Sequence, residues 1–332
     1  MPATRHFNTP VIVISRCIEF DAVRYNGDMI SSHEIAVMKP FVRFIPVCPE
    51  VEIGLGIPRA TIRIVRTHET DHLIQPSTGE DITQKMNTFC AGFLDDLPLI
   101  EGCILKNKSP TSGISGVNIY PSAEKSAPIG KDAGFFGRMV LNKYPGYPIE
   151  DEGRLRNTRI REHFLTRIFM LADLKQVSES PSIKKLSRFH TENKLMFMAH
   201  SQTMLRRLGI IAANNAGLSP QDVIKQYRDI LIDGTRIPPR YTSHINVLLH
   251  AFGYLSDHLS IDEKAFFLDR IEDYRRGTLP VIAIKTIIQA WILRYNTEYL
   301  KNQTYFAPYP DALMELGESE IERGRDMVIM EK

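Results

Sequence analysis

Cysteine is scarce in this chain: four in 332 residues, at positions 17, 48, 90 and 103, and no two of them form a CxxC pair. So few in so long a chain exclude a disulfide framework and fit a reducing cytoplasm. A cysteine in that compartment is buried filler, a nucleophile or a metal ligand. No apolar run approaches the ~20 residues that a membrane-spanning helix needs, so no membrane partner is expected. The opening "MPATRHFNTP" has no apolar core of a secretory signal. There is no internal repeat. What is present, 43% hydrophobic and 24% charged residues, describes an ordinary globular protein.

The length exceeds that of a usual single domain, so two are expected. The net charge of +2 hides a division. Residues 1–150 carry 15 Lys and Arg against 16 Asp and Glu; residues 151–310 carry 23 against 16. The tail from Asp311 carries 3 against 7. The basic excess therefore belongs to the second half and hints at a polyanionic partner.

The first half alternates short β-rich runs with loops and helices. "VIVIS" (11–15) is apolar throughout, as expected of a strand covered on both faces. "FVRFIPV", "TIRIV" and "CILK" are further strand candidates. Between them, Met86, Phe89, Cys90, Phe93 and Leu97 recur at helical spacing, with Asp81 as cap. "GFFGRMVLNKY" reads as a short helix. This order predicts an α/β domain over 1–150 with a mostly parallel sheet. A helix and the polar stretch "KQVSESPSIKK" connect it, over 151–186, to an all-α helical bundle over 187–310, with five or six helices between 187 and 300. Ser219-Pro220-x-Asp222 and Ser260 to Glu263 are helix-start signatures. An acidic tail, 311–332, follows.

Three loops carry the chemistry, and position is what they share. Cys17 follows the first strand and Cys48 the second, while "KNKSPTSGI" follows "CILK". Ligands of an open parallel sheet bind at the carboxyl ends of its strands, so the loops can converge. Thiolates on rigid loops are what a soft metal or an iron–sulfur cluster needs. Glu50 offers a carboxylate, and "GLGIPR" lets backbone come close before presenting Arg59. Cys90, on an apolar helix stripe, and Cys103, inside a strand, read as core.

"VIVISRCIEFDAVRYNG", "FVRFIPVCPEVEIGLGIPR" and "CILKNKSPTSGI" resemble the signature segments of the thiouracil-desulfidase domain. "FHTENKLMFMAH", "HINVLLHAFGYLSDHLS", "DYRRGTLPVIAIKTII" and "YLKNQTYFAPYP" resemble the YbgA-like helical domain. The resemblance covers about residues 10–310. It implies a 4Fe-4S cluster held by three cysteines, with one iron left open for substrate sulfur, and removal of sulfur from 4-thiouridine in tRNA. Carried over, Cys17 and Cys48 match the first two ligands. The third ligand falls on Ser112, where the chain departs from the family. Ser112 is then a weak ligand, a substitution that disarms the protein, or the mark of a lost cluster. Cys103, nine residues earlier, is too far along the strand to replace it.

Glu50 is the candidate base, Ser109 positions substrate or water, and Arg59 and Lys106 are candidate substrate contacts. In the helical domain, "GTRIPPRYTSH" brings together Arg236, Arg240 and Tyr241 as candidate RNA contacts, the tyrosine to stack on a base. Further Arg and Lys residues, among them Arg159, Arg161 and Arg167, suit a phosphate backbone. Asn246, His250, Tyr254 and His258 recur at i, i+4 and read as a hydrogen-bonded helix face rather than a metal site. The expectation is a desulfidase of tRNA 4-thiouridine, with no DNA partner. The alternatives are a desulfidase of free thiouracil or thio-UMP, and a non-catalytic tRNA-binding protein with a degenerate cluster site.

Overall fold

The computed structural model describes residues 5–314, so the expected acidic tail lies almost wholly outside the described residues. In chain order the first part runs β1 (Val11–Ser15), α1 (His33–Met38), β2 (Arg43–Val47), α2 (Pro49–Glu52) and β3 (Arg63–Thr67). It continues with β4 (Thr70–Gln75), β5 (Glu80–Asp81), α3 (Thr83–Asp95), β6 (Gly102–Leu105), β7 (Val117–Tyr120), β8 (Gly130–Asp132), α4 (Phe135–Lys143) and β9 (Ile149–Asp151). The helical part is α5 (Thr158–Glu179), α6 (Ile183–Glu192), α7 (Lys194–His200), α8 (Gln202–Ala213), α9 (Pro220–Gly234), α10 (Tyr241–Gly253), α11 (Ile261–Arg276), α12 (Val281–Tyr295) and α13 (Glu298–Lys301).

The chain divides into two compact units. One holds Thr9–Ile168 with the segment from Pro310; the other holds Phe169–Tyr309 with the residues before Thr9. The α/β class expected for the N-terminal side is present, and so is the helical region after it.

In the first unit, β2, β1, β6 and β9 form a wholly parallel sheet in that order. Central β1 has all five residues buried, which explains why its sequence is apolar without alternation. "TIRIV" does form a strand, but not in this sheet. As β3 it joins a second sheet, β5-β4-β3-β7-β8, in which only β3 and β7 pair in parallel. Val13, Cys103 and Leu105 from the first sheet share one core with Ile64, Leu73 and Ile119 from the second, and with Met86 and Cys90 of α3 and Phe136 of α4. Cys90 and Cys103 are thus core residues, 0% and 1% exposed, as their positions suggested.

Asp81 does not cap α3 in the ordinary sense: the N-cap is Ile82. The Asp81 carboxylate instead accepts the Thr83 N–H at 2.9 Å, one step into the helix.

In the second unit the stretch "KQVSESPSIKK" is shorter as a connection than its composition suggested. α5 continues to Glu179, with Val177 buried and the Ser178 hydroxyl donating to the Leu174 carbonyl. It stops just before Pro181, because the residue before a proline disfavours helical backbone. Ser219 and Ser260 both cap helices, and Ser260 with Glu263 completes a reciprocal capping box. The expected histidine face is cut short. α10 ends at Gly253, so Tyr254 and His258 leave its periodicity. His258 stacks on Tyr295, and His250 meets Tyr254 edge to face. Among the described residues, no helix is long and apolar enough to cross a membrane.

Candidate active site

Three neighbouring parallel strands, β2, β1 and β6, end side by side, and each delivers one loop to a common cavity of about 440 Å³ within the first unit. Cys17, Cys48, Glu50, Arg59, Lys106, Ser109 and Ser112 all line it. Residues up to 95 positions apart in sequence therefore meet because parallel strands send successive loops to one edge. Arg236, Arg240 and Tyr241 are exposed residues of the other unit.

Each loop is held by its own local geometry. Cys17 sits inside a tight turn in which the Ile18 N–H donates to the Ser15 carbonyl at 2.9 Å. The Ser15 hydroxyl accepts the Lys106 N–H, also at 2.9 Å, tying the ends of β1 and β6 together. Cys48 caps the short helix α2, with Pro49 fixing the first helical position. Gly54 and Gly56 lie beyond it with φ of +88° and +74°. A Cβ at either would meet nothing within 4 Å, so these glycines serve backbone conformation and not close approach.

The third loop is clasped onto the start of α4. The N–H groups of Gly134, Phe135 and Gly137 donate to the carbonyls of Gly113, Pro110 and Thr111 at 2.7, 3.1 and 3.0 Å. A Cβ on Gly137 would lie 2.3 Å from the Gly113 carbonyl oxygen, and one on Gly134 would lie 2.5 Å from that of Thr111. Ser109 completes the clasp: its Oγ accepts from the Thr111 and Ser112 N–H groups at 3.2 and 3.1 Å. With its oxygen engaged in this way, the Ser109 hydroxyl proton is left for the cavity.

Glu50 and Arg59 form a buried pair, not the surface pair that sequence alone permits. Arg59 Nε donates to Glu50 Oε2 at 2.8 Å, with the side chains 4% and 13% exposed. Arg59 Nη1 donates to the carbonyls of Val23 and Gly56, and Nη2 lies 3.9 Å from Cys48 Sγ. The other Glu50 oxygen accepts from Thr111 Oγ1 at 2.8 Å. Lys106 is engaged by the Glu152 carboxylate and the Asn107 carbonyl, while Glu152 also accepts the Asn107 N–H. Both cations considered for substrate binding thus have protein partners.

Burial pushes the Cys17 thiol up to about 12, with nearby Cys48 adding to the effect and Lys106 opposing it. Burial also raises Cys48, opposed by the Val51 N–H and reinforced by Glu50. These thiols stay protonated at neutral pH unless a metal takes the place of the proton.

Two functional contributions are not legible in the sequence. Thr111, 0% exposed, holds the candidate base, and Glu152 at the end of β9 neutralises Lys106. Thr111 lies inside the segment "SPTSGI", so the sequence marks its position but not its role. Glu152 gives no signal, because β9 is only three residues long.

The donor set of the cavity is two thiols and one hydroxyl. Among the described residues, no group of three or more His, Cys, Asp and Glu side chains is placed to hold a metal ion. The cavity thus offers two thiols, Cys17 and Cys48, and a hydroxyl, Ser112, in place of the three thiolates that the resemblance implies. Arg161 and Arg167, candidates for phosphate contacts by charge, are buried instead: Arg161 donates to the Leu155 carbonyl, and Arg167 to that of Gly146.

Residues 12–152 match the 2-thiouracil desulfurase family, and residues 194–310 match a family described as a protein of unknown function, DUF1722. The uncharacterized protein YbgA of Escherichia coli (strain K12) is 32% identical over 154 residues, which cover 46% of this chain and 91% of that protein. A solved structure of a [4Fe-4S]-dependent thiouracil desulfidase, TudS, is 22% identical with a TM-score of 0.34, over 44% of this chain and 93% of that one.

Proposed function

Because the chain belongs to the YbgA family and joins to that part a 2-thiouracil desulfurase domain, we propose that it removes sulfur from thiolated uracil, with 4-thiouridine in tRNA as substrate and a 4Fe-4S cluster as cofactor. The observation that carries the reading is the gathering of Cys17, Cys48, Glu50, Ser109 and Ser112 in one cavity at the carboxyl ends of three parallel strands.

Cys17 and Cys48 would hold the cluster, which when bound supplies a Lewis-acidic iron with affinity for a thiocarbonyl sulfur. The protein supplies the rest. Arg59 and Thr111 fix the two oxygens of Glu50 from the protein side, which leaves each oxygen a lone pair for water. Glu50 takes one proton from a water whose oxygen bonds to carbon 4 of the base. The carbon–sulfur bond then breaks, sulfur leaves as hydrosulfide with the second proton, and a carbonyl remains. No electron is gained or lost. The Ser109 hydroxyl donates a hydrogen bond to the base and orients it for this attack.

A tRNA substrate is favoured by the basic excess of residues 151–310 and by exposed Arg236, Arg240 and Tyr241. The test compares thiolated tRNA, 4-thiouridine monophosphate and free 4-thiouracil at equal concentration, following loss of the thiocarbonyl absorbance by anaerobically reconstituted protein. Faster turnover of the tRNA, abolished by Glu50→Gln, is expected. Equal or faster turnover of the free base would transfer the reading to small-molecule desulfidation.

A further inference from the structure

The second unit holds a cavity of its own, about 400 Å³, between α6 and α13. One wall is aromatic. Tyr299 lines the cavity and rests on Tyr254 outside it, with ring centroids 4.8 Å apart and planes inclined at 34°. The Tyr299 hydroxyl is buried with no hydrogen-bond partner among the described residues, so ring contacts hold this side chain. The opposite character is found in the rest of the lining, which is rich in acceptors. Asn302 Nδ2 donates to Glu298 Oε1 at 3.2 Å, which leaves Glu298 Oε2 and Asn302 Oδ1 for a ligand. Glu192 gives one oxygen to Arg188 Nε at 2.7 Å and keeps the other. Gln303, by contrast, uses both ends of its amide on the Leu195 N–H and the Thr191 carbonyl. The rim is basic. Arg188 has a side chain 79% exposed, and exposed Lys184 stands one helical turn before it on the same face of α6.

Resting on the tRNA reading, we propose that this cavity takes one unstacked guanine of the RNA, a base other than the thiolated one. The ring stacks on Tyr299, as single-stranded bases do on aromatic side chains. Guanine carries two adjacent donors on its Watson–Crick edge, N1–H and the N2 amino group, and these match Glu298 Oε2 and Asn302 Oδ1. Adenine and cytosine offer one amino group beside an acceptor nitrogen. Uracil would turn a carbonyl toward an acceptor oxygen, so the same lining works against it. Arg188 and Lys184 at the rim meet the flanking phosphates. Those two cations also disfavour a basic peptide, the other kind of ligand that two carboxylates could attract. The site is thus a second hold on the RNA, built from α6 and α13 and separate from Arg236, Arg240 and Tyr241 in the sequence.

The test measures binding of the full-length protein to two fluorescein-labelled RNAs, a uridine decamer with one central guanosine and the all-uridine decamer, by anisotropy at fixed salt. Wild type should bind the guanosine decamer about tenfold more tightly. Tyr299→Leu and Glu298→Gln should each abolish that preference. Tyr299→Phe keeps the ring and removes no hydrogen bond, so it should retain the preference. On wild type, GMP should erase the difference between the decamers. Equal affinity of wild type for both decamers, or a preference that survives Tyr299→Leu, would overturn the guanine pocket and leave the tRNA reading in place. A preference erased by free arginine and not by GMP would overturn it in favour of a cationic ligand. Failure of wild type to bind either decamer or tRNA would remove the pocket and the tRNA reading together.

Discussion

Replacing Arg59 with methionine isolates the pair that holds the candidate base. Arg59 and Glu50 are 4% and 13% exposed, so the substitution leaves a largely buried carboxylate with one donor, Thr111. Breaking such a pair from one side costs about 3–5 kcal/mol. The two carbonyls of Val23 and Gly56 lose their Arg59 bonds as well, at about 1 kcal/mol each. Water that reaches Glu50 places the carboxylate part of the sum near the lower figure, so about 5 kcal/mol in all is expected for Arg59→Met. Glu50→Gln on the Arg59→Met background removes the uncompensated charge and keeps the Thr111 bond. It should therefore recover about 2 kcal/mol, although the two carbonyls stay unpaired. The assay is denaturant unfolding of the iron-free chain followed by circular dichroism, as a double-mutant cycle. Additivity of the two single variants within about 0.5 kcal/mol would refute the pairing argument.

Gly137→Ala places a Cβ 2.3 Å from the Gly113 carbonyl oxygen, which only a shift of the third loop can relieve. Iron retained after reconstitution should fall at least tenfold relative to wild type, and unchanged retention would show that the clasp does not position the site. Burial raises Cys90 from 9.0 to about 12 in the folded chain. Its stabilising contribution is complete below the unfolded thiol value and is lost as pH rises from about 9 to about 12. The melting temperature of Cys90→Ala should therefore vary less over that range than that of wild type; parallel curves would contradict the assignment. Replacing Arg236 and Arg240 with alanine should weaken tRNA binding and reduce the slope of log affinity against log salt by about 1 for each arginine that meets a phosphate, with an unchanged slope as the opposing result.

Much of the frame around the candidate site is legible because short apolar strands announce themselves. "VIVIS" reads as a central strand, and the loops after it, after "FVRFIPV" and after "CILK" can be aligned by strand ends alone. The second sheet was hidden for a physical reason. β5 and β8 are exposed pieces of two and three residues, and β4 mixes polar and apolar positions, so neither period nor composition marks them. The end of α5 was obscured by composition: its serines and glutamates are polar, yet Val177 still packs inward. Arg161 and Arg167 show the same weakness from the other side, since charge alone does not reveal that an arginine is buried and bonded to backbone carbonyls. At the site, residue identities were readable but pairings were not. The bonds of Glu50 to Arg59 and Thr111 span 9 and 61 positions and depend on loop geometry.

The reaction itself is tested most directly by desulfidation in water enriched in oxygen-18. Reconstituted full-length protein is incubated with tRNA containing 4-thiouridine, and the product nucleosides are analysed by mass together with released sulfide. The account predicts uridine carrying one solvent oxygen at carbon 4, with one sulfide released for each uridine formed. Thiolated tRNA recovered intact from a protein that holds its cluster, or uridine formed without solvent oxygen, would contradict it.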